Sequence, residues 1–91
     1  MPHLKPTLSV RPSFDGRRLR QLRLSRSLSA RQLAERIGAS PRQIWRLEAN
    51  ARPNVRAVTL ARIALALQTS IDYLLGLTDE LKPYPSRVRQ Q

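Results

Sequence analysis

Apolar residues in this chain fall into short groups with helical spacing, separated by serine, glycine and proline. Leu19 and Leu22 stand three apart, Leu33 and Ile37 four apart, and Ile44 and Leu47 three apart. Leu60, Ile63, Ala64 and Leu67 repeat at i, i+3, i+4 and i+7, and Ile71 with Leu74 or Leu75 makes a shorter last group. Each group draws one apolar stripe on a helix and leaves the opposite face polar. The pattern predicts an all-α fold, a compact bundle of five short helices.

The residues between the stripes mark where each helix starts and stops. Ser13 or Asp15 can cap the first helix, which runs to about Arg26, and Leu24 fits its apolar face poorly. Ser29 caps the second, with Gln32 completing a capping box three residues on. Gly38 stands where the chain must leave that helix left-handed, which costs a residue without Cβ least. Ser40 caps the third helix, with Pro41 at its first position and Gln43 reaching back as the box partner. Residues 49–54 are rich in turn formers and form a loop, and Asn54 is placed to cap the fourth helix. Ser70 caps the fifth, Asp72 suits its first turn, and Gly76 ends it. Three divisions follow: a basic, proline-containing arm over 1–13, a folded domain over 14–77, and a basic tail over 78–91 with Lys82, Arg87 and Arg89. The arm reads as an inert leader, although basic arms reach into the minor groove in several DNA-binding folds.

The stretch 29–48 is two short amphipathic helices joined by a tight glycine turn, with small Ala34 on the inner face for close approach. On a basic domain, that arrangement fits a helix into the DNA major groove. Small Ala34, Gly38 and apolar Leu33, Ile37, Ala39, Ile44 and Leu47 resemble the helix-turn-helix of the Cro/repressor (Xre-like) transcription regulators. The resemblance extends from about Leu19 to Leu77. Leu19–Arg23 looks like the family's first helix, Leu28-Ser29 the start of its second, and Arg46-Leu47-Glu48 the end of its third. Leu60–Leu67 looks like its fourth helix, and Ser70–Gly76 its fifth. It implies a lambda-repressor-like DNA-binding domain acting as a homodimer on a palindromic operator. It also implies an ion pair between Arg23 and Glu48. Three positions depart from the pattern: Ser27 stands where the family often has glycine, Ala30 replaces its phosphate-clamping glutamine, and the 49–54 loop is about one residue longer.

Charge strengthens the picture. The chain holds 17 Lys+Arg against 6 Asp+Glu, a net +11, and fifteen of the cations are arginine. Between Asp15 and Leu77 twelve arginines face four acids, leaving +8 within the folded part. Such a surplus points to a polyanion, most often nucleic acid. Arginine suits phosphate and guanine through its planar fork, although a GC-rich genome would also replace lysine with arginine.

Ile44 and Leu47 fix the inner face of the third helix, so Pro41, Arg42, Trp45, Arg46 and Ala49 point outward with Gln43 at the border. Arg42, Gln43 and Arg46 are the base-reading candidates, since arginine pairs with guanine and glutamine with adenine. The bland alternative for Arg42 and Arg46 is a solvated surface pair touching at most phosphate. Trp45 is expected to bury against neighbouring protein, including the 50–54 loop, rather than to meet sugar or a thymine methyl. Phosphate contacts are expected from Ser29 and Ser40 at helix starts and from Arg31, Arg52 and Arg56, with Arg31 or Arg52 replacing the missing clamp. Tyr73 and Leu77 lie on an outer edge of the fifth helix with Leu81 close behind, which makes them the expected dimer interface.

Other functions find little support. With no cysteine there is neither a disulfide framework nor a thiolate metal site. His3 is the only histidine, and no glycine-rich phosphate loop, ligand cluster or nucleophile–base set is present. The chain therefore reads as a non-enzyme needing no cofactor and no metal, with no evident small-molecule ligand. No apolar run approaches ~18 residues, so no membrane span is expected, and without a secretory signal the chain reads as cytoplasmic. The expected function is sequence-specific double-stranded DNA binding by a transcriptional regulator, a repressor. Two rivals use the same fold: an antitoxin with a toxin partner, and a protein-interaction adaptor without a DNA face. RNA is disfavoured because an A-form duplex excludes a helix from its deep groove.

Overall fold

The computed structural model describes residues 12–49 and 54–82. They form five helices: α1 (Gly16–Ser25), α2 (Ala30–Ile37), α3 (Pro41–Ala49), α4 (Ala57–Leu67) and α5 (Ile71–Leu74). α3 packs on α1 and α2, α4 on α2 and α5, and α5 also on α1. At the centre Leu19, Leu33, Ile44, Ile63, Leu67 and Leu74 are fully buried, so every helix contributes to one core. Removing a residue such as Leu33 would cost ~2–5 kcal/mol through lost transfer energy and the cavity left behind.

Local chemistry sets the helix starts. Asp15 accepts the N–H groups of Arg17 and Arg18 and caps α1. Ser29 and Gln32 close a full capping box on α2, and Ser70 accepts the Tyr73 N–H at 3.0 Å to start α5. The start of α4 differs from expectation. Its N-cap is Arg56, without a side-chain cap, and Asn54 lies two residues too early to serve.

One device ends four helices. Ser27, Gly38, Gln68 and Gly76 all take positive φ, and the next residue's N–H reaches back to a carbonyl inside the helix. Leu28 donates to Arg23, Ala39 to Ala34, Thr69 to Ala64 and Leu77 to Asp72, which satisfies carbonyls the helix itself leaves open. Glycine makes this turn without strain; Ser27 and Gln68 make it at a cost.

Phe14 is buried because its two neighbours are tied to the far end of the chain. The Ser13 N–H donates to Leu75 O at 3.1 Å and the Asp15 N–H to Leu74 O at 2.9 Å. The chain beyond Leu77 is held as well, since Arg18 donates to Thr78 O at 2.6 Å and the Thr69 hydroxyl donates to Leu81 O. Ile71 departs from the expected core role: it is exposed, while Leu74 is buried and Leu75 half-buried. As the first residue of a single-turn helix, it stands at the lip of the core. No helix among the described residues is long and apolar enough to cross a membrane.

Candidate nucleic-acid interface

α2, the Gly38 turn and α3 form one rigid corner. Gly38 has φ +71, and a methyl there would meet only Arg62 Nη1 at 3.5 Å, so backbone conformation rather than space demands glycine. Ala34 is buried beneath the corner. At the start of α3 the Ser40 N–H donates to Gln43 Oε1 at 2.9 Å, and the Gln43 N–H donates to Ser40 Oγ at 3.2 Å. This box matches the one predicted from the spacing.

Arg42, Gln43 and Arg46 are exposed on α3, opposite buried Ile44. The Gln43 oxygen is committed to Ser40, leaving the amide nitrogen for a partner. Trp45 is 59% exposed, so its expected burial against neighbouring protein is not met among the described residues; residues 50–53 of the expected loop lie outside them. Trp45 sits about a quarter-turn from Ile44, away from the inner face.

The phosphate candidates lie at several points. Ser29 and Arg31 are exposed at the start of α2, Ser40 at the start of α3, and Arg56 at the start of α4. Arg52 lies outside the described residues, as do most of the arm and most of the tail. Along one flank of α3 runs an open cleft of about 530 Å³, with Gln43, Arg46, Arg56, Thr59 and Arg62 among its lining residues. It brings Arg56 and Arg46 to one place, together with Arg62, which the sequence reading did not single out.

Several arginines serve the fold instead. Arg23 donates Nε to Glu48 Oε2 at 2.6 Å and Nη2 to Oε1 at 3.0 Å, with Nη1 on Leu28 O at 2.9 Å. The hydrogen bond to Glu48 raises the Arg23 pKa further, against the lowering effect of burial. Arg26 donates to Leu67 O at 2.9 Å and Arg62 to Ile37 O at 3.3 Å, each closing the end of another helix. Arg18 donates to Tyr73 O at 2.8 Å and to Asp79 at 2.7 Å, with its guanidinium 4.3 Å from the Tyr73 ring centre. Of the three candidate interface residues, Tyr73 is thus half-covered, while Leu77 and Leu81 stay exposed.

A family profile described as "Helix-turn-helix domain" matches residues 16–81, the whole of this corner and the helices that carry it. The chain belongs to that helix-turn-helix family. It is 42% identical over 72 residues to the uncharacterised HTH-type transcriptional regulator YobD of Bacillus subtilis, covering 77% of this chain and 62% of the relative. It is 38% identical over 80 residues to an uncharacterised HTH-type transcriptional regulator of Rickettsia conorii, covering 87% and 63%. The chain thus spans somewhat under two thirds of the length of these curated relatives. Among solved structures it resembles the biofilm master regulator SinR in complex with DNA, at TM-score 0.62 and 28% identity over 66% of this chain and 95% of that one. It also resembles the P22 c2 repressor in complex with a synthetic operator, at TM-score 0.61 and 31% identity over 69% and 94%. These neighbours bear out the lambda-repressor-like fold and the Cro/repressor resemblance.

Proposed function

We propose that this chain binds double-stranded DNA sequence-specifically as a transcriptional repressor, placing α3 in the major groove. The observation that carries the reading is the outer face of α3. Arg42, Gln43 and Arg46 are exposed on a helix locked from beneath by Ile44, at its start by Ser40 and at its end by the Arg23–Glu48 pair. Arginine and amide side chains on that face match the acceptor-rich edge of guanine and the edges of adenine and thymine. The cations of this face also differ from those at the α1/α5 end. Asp15 and Asp79 pair with Arg18 at the end of the domain where α1 begins and α5 ends, whereas no salt bridge among the described residues involves Arg42, Arg46 or Arg56.

The relatives named as transcriptional regulators, and the two neighbours seen with DNA, support the same reading. So small a corner reads only a few base pairs, which favours a homodimer on a palindrome with half-sites ~34 Å apart. Leu77 and Leu81 supply its apolar surface. The protein acts where its DNA is, in the cytoplasm. Selection of bound sites from a pool of random duplexes tests the function: a palindromic sequence is expected, and recovery of the unselected pool would refute it. A second reading is docking of a partner protein, since the chain also resembles SinR in a solved complex with SinI, at TM-score 0.61 and 28% identity over 66% of this chain and 58% of that one; a stoichiometric small partner that abolishes site selection would favour it.

A further inference from the structure

Glu48 has two guanidinium neighbours and bonds only one of them. Arg23 takes both carboxylate oxygens, and the two side chains are 9% and 7% exposed. Arg20, one turn earlier on α1, brings its Nε no closer than 4.0 Å to Glu48 Oε1, and its side chain is 63% exposed. At that distance attraction persists without a hydrogen bond. One buried negative charge therefore lies between two positive ones. The trio carries a net positive charge, and the donors of Arg20 remain open to solvent.

The location of this surplus charge decides what it can do. Arg23 Nη1 on Leu28 O sets the cluster beside Ser29 and the start of α2. Trp45 precedes Glu48 by three residues on α3, so the two share a side of that helix. The cleft with Arg46 and Arg56 lies along the opposite flank. A helix lying in the major groove has a sugar–phosphate strand on each side.

We infer that Arg20 is a DNA backbone contact: it binds a phosphate of the strand on the Trp45 side, and Glu48 holds its guanidinium in place without neutralising it. The inference rests on α3 entering the groove. It assigns each strand its own cations, with Arg56 on one side of the recognition helix and Arg20 on the other. The sequence alone does not separate Arg20 from the other exposed arginine of α1, Arg17. What separates them is Glu48, which only the folded chain brings near.

The test measures the salt dependence of binding for the full chain and for Arg20→Ala, Arg20→Lys and Arg42→Ala, on preferred and scrambled duplexes. Arg20→Ala should lower the slope of log affinity against log salt by about 1 per bound subunit. It should weaken both duplexes by the same factor and leave the thermal midpoint unchanged. Arg20→Lys should restore the slope, and Arg42→Ala should lose affinity mainly on the preferred duplex. An Arg20→Ala slope equal to wild type overturns the inference. So does a lowered thermal midpoint with the slope intact, which would make Arg20 a structural partner of Glu48. A wild type with no salt-dependent binding would instead remove the DNA reading itself.

Discussion

Ser40 and Gln43 hold each other at the start of the recognition helix, with the Ser40 N–H on Gln43 Oε1 at 2.9 Å and the Gln43 N–H on Ser40 Oγ at 3.2 Å. One side chain thus both caps α3 and stands at the border of its DNA face. With the oxygen committed, bidentate pairing to adenine would need the cap to open. The amide nitrogen alone can still donate to a base acceptor.

Gln43→Glu separates the two roles. Glutamate serves the capping box as well as glutamine does, so stability should change by no more than ~0.5 kcal/mol. DNA affinity should fall, because a carboxylate would face base acceptors and phosphates. Denaturation and binding measured on the same variant check this. Undiminished binding would show that Gln43 does not meet DNA.

The Arg23–Glu48 pair should be far more sensitive. Removing either partner strands a buried charge, and Arg23→Ala or Glu48→Ala should each cost ~3–5 kcal/mol. A double replacement by methionine and leucine should recover most of that loss. Folding raises the Arg23 pKa, so its contribution is complete below the ordinary arginine range and fades only in strong alkali. Urea denaturation at neutral pH is the measurement. A loss below ~1 kcal/mol in the single variants would mean the pair is solvated.

Helix ends offer a gain. Ser27 and Gln68 adopt φ 58 and 56, a conformation costing residues with a Cβ ~1–2 kcal/mol. Glycine removes that cost but adds ~0.5–1 kcal/mol of unfolded-state entropy. Ser27→Gly and Gln68→Gly should therefore each stabilise the domain by up to ~1 kcal/mol, seen as a higher melting temperature. Gly38→Ala should do the reverse, losing ~1–2 kcal/mol through its φ of +71.

Assembly is checked by sedimentation of wild type and Leu77→Asp, free and bound to operator. Leu77 is exposed beside a Tyr73 already covered by Arg18, so the substitution should spare the fold and break pairing. Wild type bound to a palindrome as a single copy, or a variant that still pairs, would exclude this surface.

The helices were legible because their signals are local. Ser29 with Gln32 and Ser40 with Gln43 act within three residues, and Gly38 marks its own turn. The outward placement of Arg42, Gln43 and Arg46 followed from the 3.6-residue period for the same reason. Contacts between distant parts were not legible. Phe14 is buried through bonds to Leu74 and Leu75, and Arg18, Arg26 and Arg62 reach carbonyls on other helices. Twelve arginines therefore looked like one surplus for a polyanion, when several close helix ends. Apolar spacing assigns Ile71 to the core, and Trp45 is expected to bury against neighbouring protein. Among the described residues, each stands at a rim where no neighbour covers it fully.

The most direct test of DNA recognition through α3 is a binding titration of the full chain on its selected duplex and a scrambled one, between about 50 and 200 mM salt. The selected duplex should bind ~10³-fold or more tightly than the scrambled one. Affinity should fall ~10³–10⁵-fold across that range, as expected for two subunits making roughly 6–10 phosphate contacts. Equal affinity for both duplexes, or binding insensitive to salt, would contradict the account.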